Sequence, residues 1–306
     1  MKLCKDAIKR TVKIFNKDDI GLAYISPWLI GFLIFTLYPM LMSLVYCFKN
    51  FTYLSNNQWI GFKNFADVFI HKDFLKSIKS TGIYVLFAVP AKLVSALMLA
   101  LLLNNKLKAV NFYRTVYYIP SLFGGSVAIG ILWRMMFAKE GVINAIIGYF
   151  GIPAQAWLGN SETAIYILCM LPMWQVGSSM VTFLAALKQV PSYLYESAKI
   201  DGAGPIRRFF KITLPMISPL VLFNLVMQAI GAFQEFSSPF VITNGGPVKS
   251  TYFVAMFIYE EAFHLLNFGF ASALSWILFA AVFVITILIF RTSAKWVFYE
   301  DGGSAI

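Results

Sequence analysis

Six apolar runs, at about 22–48, 81–103, 115–137, 163–186, 212–235 and 271–291, limit what this chain can fold into. Each is about 20 residues or longer. A helix rising about 1.5 Å per residue crosses a bilayer core of about 30 Å in that length. A soluble reading of 306 residues as two domains is excluded by composition, because 59% hydrophobic and only 13% charged residues cannot cover a water-facing surface. The predicted fold class is an all-α membrane protein with six transmembrane helices. Pro27 and Pro39 lie in the first span, where an interior proline frees a carbonyl and kinks the helix. Residues 1–20 are basic and polar, and the apolar run after them is too long for a signal-peptide core. A solvated cytoplasmic tail is expected there, with an interfacial helix carrying Val12, Ile14 and Phe15 as the alternative, and the first helix inserts the chain.

The net charge of +11 would suggest nucleic acid in a soluble chain, but here its distribution decides. With the N-terminus inside, segments 1–21, 104–114, 187–211 and 291–306 carry sixteen Lys and Arg; 49–79, 138–162 and 236–270 carry seven. That positive-inside bias predicts cytoplasmic termini and a cytoplasmic 187–211 loop. Nucleic acid is not an expected partner; the bilayer is. Cys4, Cys47 and Cys169 form no framework and are expected as free thiols. Two histidines, His71 and His264, leave little for metal chemistry, so no metal site is expected.

The 187–211 loop and the entry to the fifth span carry the most informative pattern. A short helix is predicted from about Ser192 to Ile200, broken at Asp201-Gly202 because glycine takes backbone angles that other residues avoid. Gly204-Pro205 is expected to start a second short helix, and Leu214-Pro215 to mark entry into the span. Two short helices at an angle would make a compact knob off the membrane. Read for topology alone, the segment is an ordinary basic loop. Glu196-Ser197-Ala198, three residues, Gly202, nine residues and Ile212-Thr213-Leu214-Pro215 resemble the EAA motif of ABC importer permeases, with Ser197 in place of the first alanine.

Other phrases resemble the carbohydrate-importing branch of that family. They are Gly61-Phe62-Lys63-Asn64-Phe65 after the first span, Phe112-Tyr113-Arg114 with Ile119-Pro120, Trp133 with Phe137, Gly141 with Asn144, and Thr243-Asn244-Gly245-Gly246-Pro247. Tyr252 and Tyr259 accompany the last. Taken alone, Trp59–Phe65 also reads as an interfacial helix with aromatic anchors, and Gly-Gly-Pro as a turn. The resemblance implies a type I ABC importer permease fold in a bacterial cell membrane, importing a carbohydrate such as an oligosaccharide by alternating access. It implies a second homologous permease, two ATPase subunits that hold ATP and Mg, and an extracellular or periplasmic solute-binding protein. On it, Glu196, Ser197, Ala198, Asp201, Gly202, Ala203, Leu214 and Pro215 couple to the ATPase. This chain itself would bind no cofactor and catalyse nothing; it has no G-x-x-x-x-G-K-S/T phosphate loop.

For the substrate path, helical spacing offers two polar stripes. Gln175, Ser178, Ser179 and Thr182 beside Trp174 fall on one face of the fourth span, and Asn224, Gln228, Gly231 and Glu235 on one face of the fifth. Polar groups in a bilayer face the bundle interior or a watery cavity. Amides, hydroxyls and a tryptophan suit a sugar; the alternative is interhelical hydrogen bonding at about 0.6 kcal/mol each. Lys92, near the middle of the second span, is a functional candidate, a partner for Glu235, or a snorkelling cation. A rival reading is an ion-coupled secondary transporter or channel using Lys92 and Glu235. A membrane enzyme would need clustered acids or histidines near one face, which the sequence lacks.

Overall fold

The structure, a computed structural model, describes residues 17–52, 57–105 and 108–298. The basic tail expected over 1–20 lies outside the described residues up to position 16, with Cys4, as do residues 299–306. The first span is α1 (Lys17–Phe32), a π-helical turn over Leu33–Leu37, and α2 (Tyr38–Tyr46). The wide turn ends two residues before Pro39. A missing N–H and a ring that crowds the carbonyl four residues back are accommodated there by loosening the ladder.

The segment to the second span carries short regular elements. A two-residue antiparallel pair, β1 (Lys49–Asn50) with β2 (Gln58–Trp59), precedes α3 (Lys63–Ile70). Buried Asn64 ties α3 down, its Nδ2 donating to the carbonyls of Cys47 at 2.8 Å and Lys49 at 2.9 Å. The second span, α4 (Phe74–Leu103), starts seven residues before the expected position 81, since three lysines near its start hide the helix from hydropathy.

The third and fourth spans are corrected more deeply. In place of one helix over 115–137 stand α5 (Val110–Leu122) and α6 (Val127–Met136), meeting at 102°. Pro120 and the Gly124-Gly125 pair, with Gly125 at φ +73°, supply the turn. After α7 (Val142–Tyr149), the fourth span is α8 (Ala164–Trp174) and α9 (Gly177–Gln189), bent by 48° after Pro172. The chain then forms α10 (Ser192–Ile200), α11 (Pro205–Arg208), a π-helical turn over Phe209–Thr213, and α12 (Leu214–Phe233). Pro205–Phe233 is one helical run of 29 residues, so the expected second short helix is the protruding start of the fifth span. Short α13 (Ser237–Ile242) and α14 (Val254–Tyr259), then α15 (Phe268–Ser293), complete the chain. Among the described residues, four runs are long and apolar enough to cross a membrane, and up to six when each bent pair is one span.

Buried side chains pack at three levels. One cluster joins Leu103, Leu187, Phe183 and Ile217 at the end carrying the 187–211 loop. A middle cluster joins Tyr84, Ala88, Leu168 and Phe253. The third joins Cys47, Val68, Phe257 and Leu274 at the opposite end. Cys47 and Cys169 are free and buried.

Asn144 is the hub of the connection after the third span. Its Nδ2 donates to the carbonyls of Ala138, Lys139 and Gln155, and its Oδ1 accepts from Gln155 N and Trp157 Nε1. An unpartnered buried group costs about 1–3 kcal/mol. Asn144→Ala is therefore expected to lower unfolding stability of the detergent-solubilised protein by on the order of 2 kcal/mol. An unchanged thermal midpoint would show that the hub is dispensable.

Candidate functional site

On α4, positions 84, 88 and 92 are four apart and share a face. Ala88 is small, which leaves space between Tyr84 and Lys92. That face looks across at the break of the fourth span and the last turns of α12, and a cavity of about 200 Å³ lies between them. Its polar lining is Tyr84, Lys92, Gln175, Gln228 and Glu235. A smaller neighbouring cavity of about 40 Å³ shares Tyr84, Pro172, Gln175 and Glu235 with it.

Each polar group is held differently. Gln228 Nε2 donates to Ser179 Oγ at 3.2 Å, so it both lines the cavity and bridges two helices. Glu235 Oε1 accepts from Ser238 N at 2.9 Å and Ser238 Oγ at 2.8 Å, which fixes the carboxylate at the start of α13. Gln175 Nε2 is buried without a hydrogen-bond partner. Lys92 and Glu235 face one cavity without a contact ion pair; among the described residues that pair is found only between Lys249 and Asp73. Amide, phenol, ammonium and carboxylate groups around a void of this size can hydrogen-bond the hydroxyls of a polar solute.

Of the six path residues expected from sequence, Gln175, Gln228 and Glu235 converge here, and Trp174, Ser178 and Asn224 do not. Trp174 is half-exposed and sits beside Trp133, their ring centroids 6.1 Å apart. Ser178 is exposed whereas Ser179 is buried, and Thr182 Oγ1 donates to the Ser178 carbonyl. The fourth-span stripe assumed one straight helix, and the bend at Gln175-Val176 separates its members. Asn224 is buried but its Nδ2 donates to Leu220 O at 2.9 Å within its own helix. Tyr84 was missed by sequence reading; its four-residue spacing from Ala88 and Lys92 was the available signal.

The second site is the loop end. No residue of α10 is buried, and Ile200 and Ile206 are 88% and 74% exposed. Glu196, Ser197 and Asp201 are exposed too. Ala203 N donates to Ala198 O at 2.8 Å and Gly202 N to Lys199 O at 3.1 Å. These are the two bonds of a Schellman ending, and Gly202 occupies its left-handed position at φ +73°. Tyr195 Oη and Thr213 Oγ1, 2.9 Å apart, tie α10 to the fifth-span helix. Leu214 and Pro215 are half-buried just after the second π-helical turn, repeating the geometry before Pro39.

At the opposite end, Lys249 Nζ meets Asp73 Oδ2 at 2.8 Å and lies 4.5 Å from the centre of the Tyr252 ring. Burial works to raise the Asp73 carboxyl, but the Lys249 ammonium holds it below the usual carboxylate range. No group of three His, Cys, Asp or Glu placed to hold a metal ion occurs among the described residues.

Residues 65–297 match the family described as binding-protein-dependent transport system inner membrane component. The chain is 43% identical over 300 residues to the probable ABC transporter permease protein YesP of Bacillus subtilis, with 97% of each chain covered. It is 30% identical to the arabinooligosaccharides transport system permease protein AraP of Halalkalibacterium halodurans, covering 91% of this chain and 89% of that one. A solved bacterial alginate ABC transporter, in complex with a periplasmic protein bound to alginate pentasaccharide, superimposes with a TM-score of 0.76 at 25% identity. That match covers 96% of this chain and 97% of that one. The chain belongs to the binding-protein-dependent transport family and is a multi-pass transport permease of the type I ABC importer fold.

Proposed function

We propose that the chain is the transmembrane permease subunit of an ATP-driven, binding-protein-dependent importer for an oligosaccharide, working by alternating access. The observation that carries this is the polar cavity lying between α4, the broken fourth span and α12, at the depth of the apolar spans. Buried polar groups are costly in a bilayer unless they serve a ligand or each other, and Gln175 Nε2 has no partner among the described residues. The relatives named for arabinooligosaccharides and alginate support a carbohydrate cargo. Glu235 is hydrogen-bonded by Ser238 and shares the cavity with Lys92 without a contact ion pair.

In this reading the termini and the 187–211 loop face the bacterial cytoplasm, following the charge bias. A second homologous permease completes the path, and a solute-binding protein delivers cargo to the opposite face. Two ATPase subunits hold ATP and Mg and receive α10, with Glu196, Ser197, Ala198, Asp201, Gly202, Ala203, Leu214 and Pro215 shaping the contact. Mass spectrometry of proteins co-purified in mild detergent tests the assembly. A P-loop ATPase and a second six-span permease are expected, and a folded chain recovered alone would overturn it. Gln228→Ala is expected to cut oligosaccharide uptake about tenfold, equivalent to about 1.4 kcal/mol, with the complex still assembled. Unchanged uptake would leave Gln228 only its bond to Ser179.

A further inference from the structure

Three lysines, Lys72, Lys76 and Lys79, crowd the start of α4, all exposed, at the end that the proposed orientation places outside the cell. Two physical rules disfavour them there. Outer segments are normally poor in Lys and Arg, yet 49–79 holds five of the seven outer cations. Cations also sit badly in the first turns of a helix, whose dipole is positive at that end. Lys76 and Lys79 line an outer cavity of about 610 Å³ together with Lys249, Ser250 and Glu162. Lys249 is already neutralised by Asp73. Ser250 Oγ is buried there without a hydrogen-bond partner.

The same helix continues from this outer cavity to the inner one. Ser80 and Ile83 line the first; Tyr84, Ala88 and Lys92 line the second. At the inner station Lys92 again lacks a contact counter-ion among the described residues, and Gln175 Nε2 is again an unused donor. A cation at bilayer depth costs about 2.5–3.5 kcal/mol on insertion scales. Glu235 supplies a negative charge to the same cavity, its Oε1 oriented by two hydrogen bonds from Ser238 and not in contact with Lys92.

We propose that the cargo is anionic: a glycoside bearing a carboxylate or a phosphate group, drawn in past Lys76 and Lys79 and held at Lys92. This rests on the importer reading above and names the substrate class of its site. A cleft lined by cations raises the local concentration of an anion and speeds its entry. An ammonium placed in a low-dielectric cavity then selects the charged over the neutral form.

The test uses the complete importer with its binding protein in proteoliposomes. Uptake is followed for uronate-bearing oligosaccharides, their carboxyl-reduced neutral counterparts, and sugar phosphates as a separate arm. Comparing permease variants against one binding protein removes that protein's own selectivity. Lys92→Met is expected to lower uptake of the anionic cargo about tenfold or more, and Lys92→Arg to restore most of it. Lys76→Gln with Lys79→Gln is expected to raise the half-saturating concentration several-fold at low salt, with the effect fading at high salt. Whether carboxylate or phosphate is carried is read from which arm responds. Neutral cargo imported in preference to both anionic arms overturns the proposal and leaves the carbohydrate reading standing. So does equal uptake by Lys92→Met, or loss of the second permease from the Lys92→Met complex, which would assign Lys92 to a carboxylate of that subunit. Import of no sugar in any arm overturns both.

Discussion

Gly177→Val is expected to destroy the recovery of folded permease. A Cβ at position 177 would lie 2.5 Å from Ser121 Oγ, 2.7 Å from Tyr118 Cα and 3.0 Å from Tyr117 O. The serine hydroxyl can rotate away, but the α5 backbone cannot. Gly177 opens α9 at the bend of the fourth span, and α5 is the first arm of the bent third span. The substitution therefore drives apart the two broken spans that give this bundle its shape. Overpacking against backbone costs about 3 kcal/mol or more. The monodisperse fraction in size-exclusion chromatography should fall several-fold, with Gly177→Ala intermediate. Gly82→Ala is the matched control: among the described residues nothing outside its own helical turn lies within 4 Å of a Cβ added at that position, and alanine favours the interior of α4 by roughly 1 kcal/mol. Equal recovery of Gly177→Val and Gly82→Ala would mean that α5 and α9 do not need this approach.

That close approach also explains what the sequence conceals. Hydropathy detects the length and apolarity of a span, so all six runs are legible, but it does not register backbone direction. The 102° turn between α5 and α6 and the 48° bend before α9 leave the apolar count of each run unchanged. Pro120, Gly124-Gly125 and Pro172 mark both bends in the sequence, yet prolines also lie inside α1, α4 and α12. A proline by itself does not say which helix turns. The bend then decides the site. Along the unbroken α12 and the two residues past its end, the spacing of Gln228, Gly231 and Glu235 reads directly onto the cavity, whereas across the fourth-span break Gln175 reaches it and Ser178 does not.

Short family-like phrases proved to be local anchors. Asn64 and Asn144 have side-chain amides that satisfy loop carbonyls. Thr243 Oγ1 meets Thr251 Oγ1 at 2.7 Å, and Thr251 Oγ1 donates to Gly246 O at 2.7 Å, closing the turn before Pro247. One amide in a loop can hold several carbonyls that no side-chain-poor segment could satisfy alone. Such residues identify themselves by type and position, while their partners, five to seventeen residues away in sequence, emerge only from the fold.

On the importer reading, Gly202→Val is expected to separate the permease from an ATPase partner without unfolding the permease. Position 202 has φ +73°, which costs a non-glycine residue about 1–2 kcal/mol and a β-branched one more. Among the described residues nothing beyond its chain neighbours lies within 4 Å of a Cβ added there, so the demand is conformational rather than steric. The Schellman ending would be lost, and the angle between α10 and the fifth-span helix would change. Because α10 buries none of its residues, the spans should fold and insert as before. Permease recovery should remain within about twofold, while co-purified ATPase falls about tenfold, a change of about 1.4 kcal/mol. Substitutions at this position also separate two causes. If backbone angle governs coupling, asparagine, which tolerates the left-handed region, retains more ATPase than alanine, and alanine more than valine. If close approach of the ATPase governs it, the smaller alanine outperforms asparagine. Full ATPase recovery with Gly202→Val would remove this loop from the coupling contact.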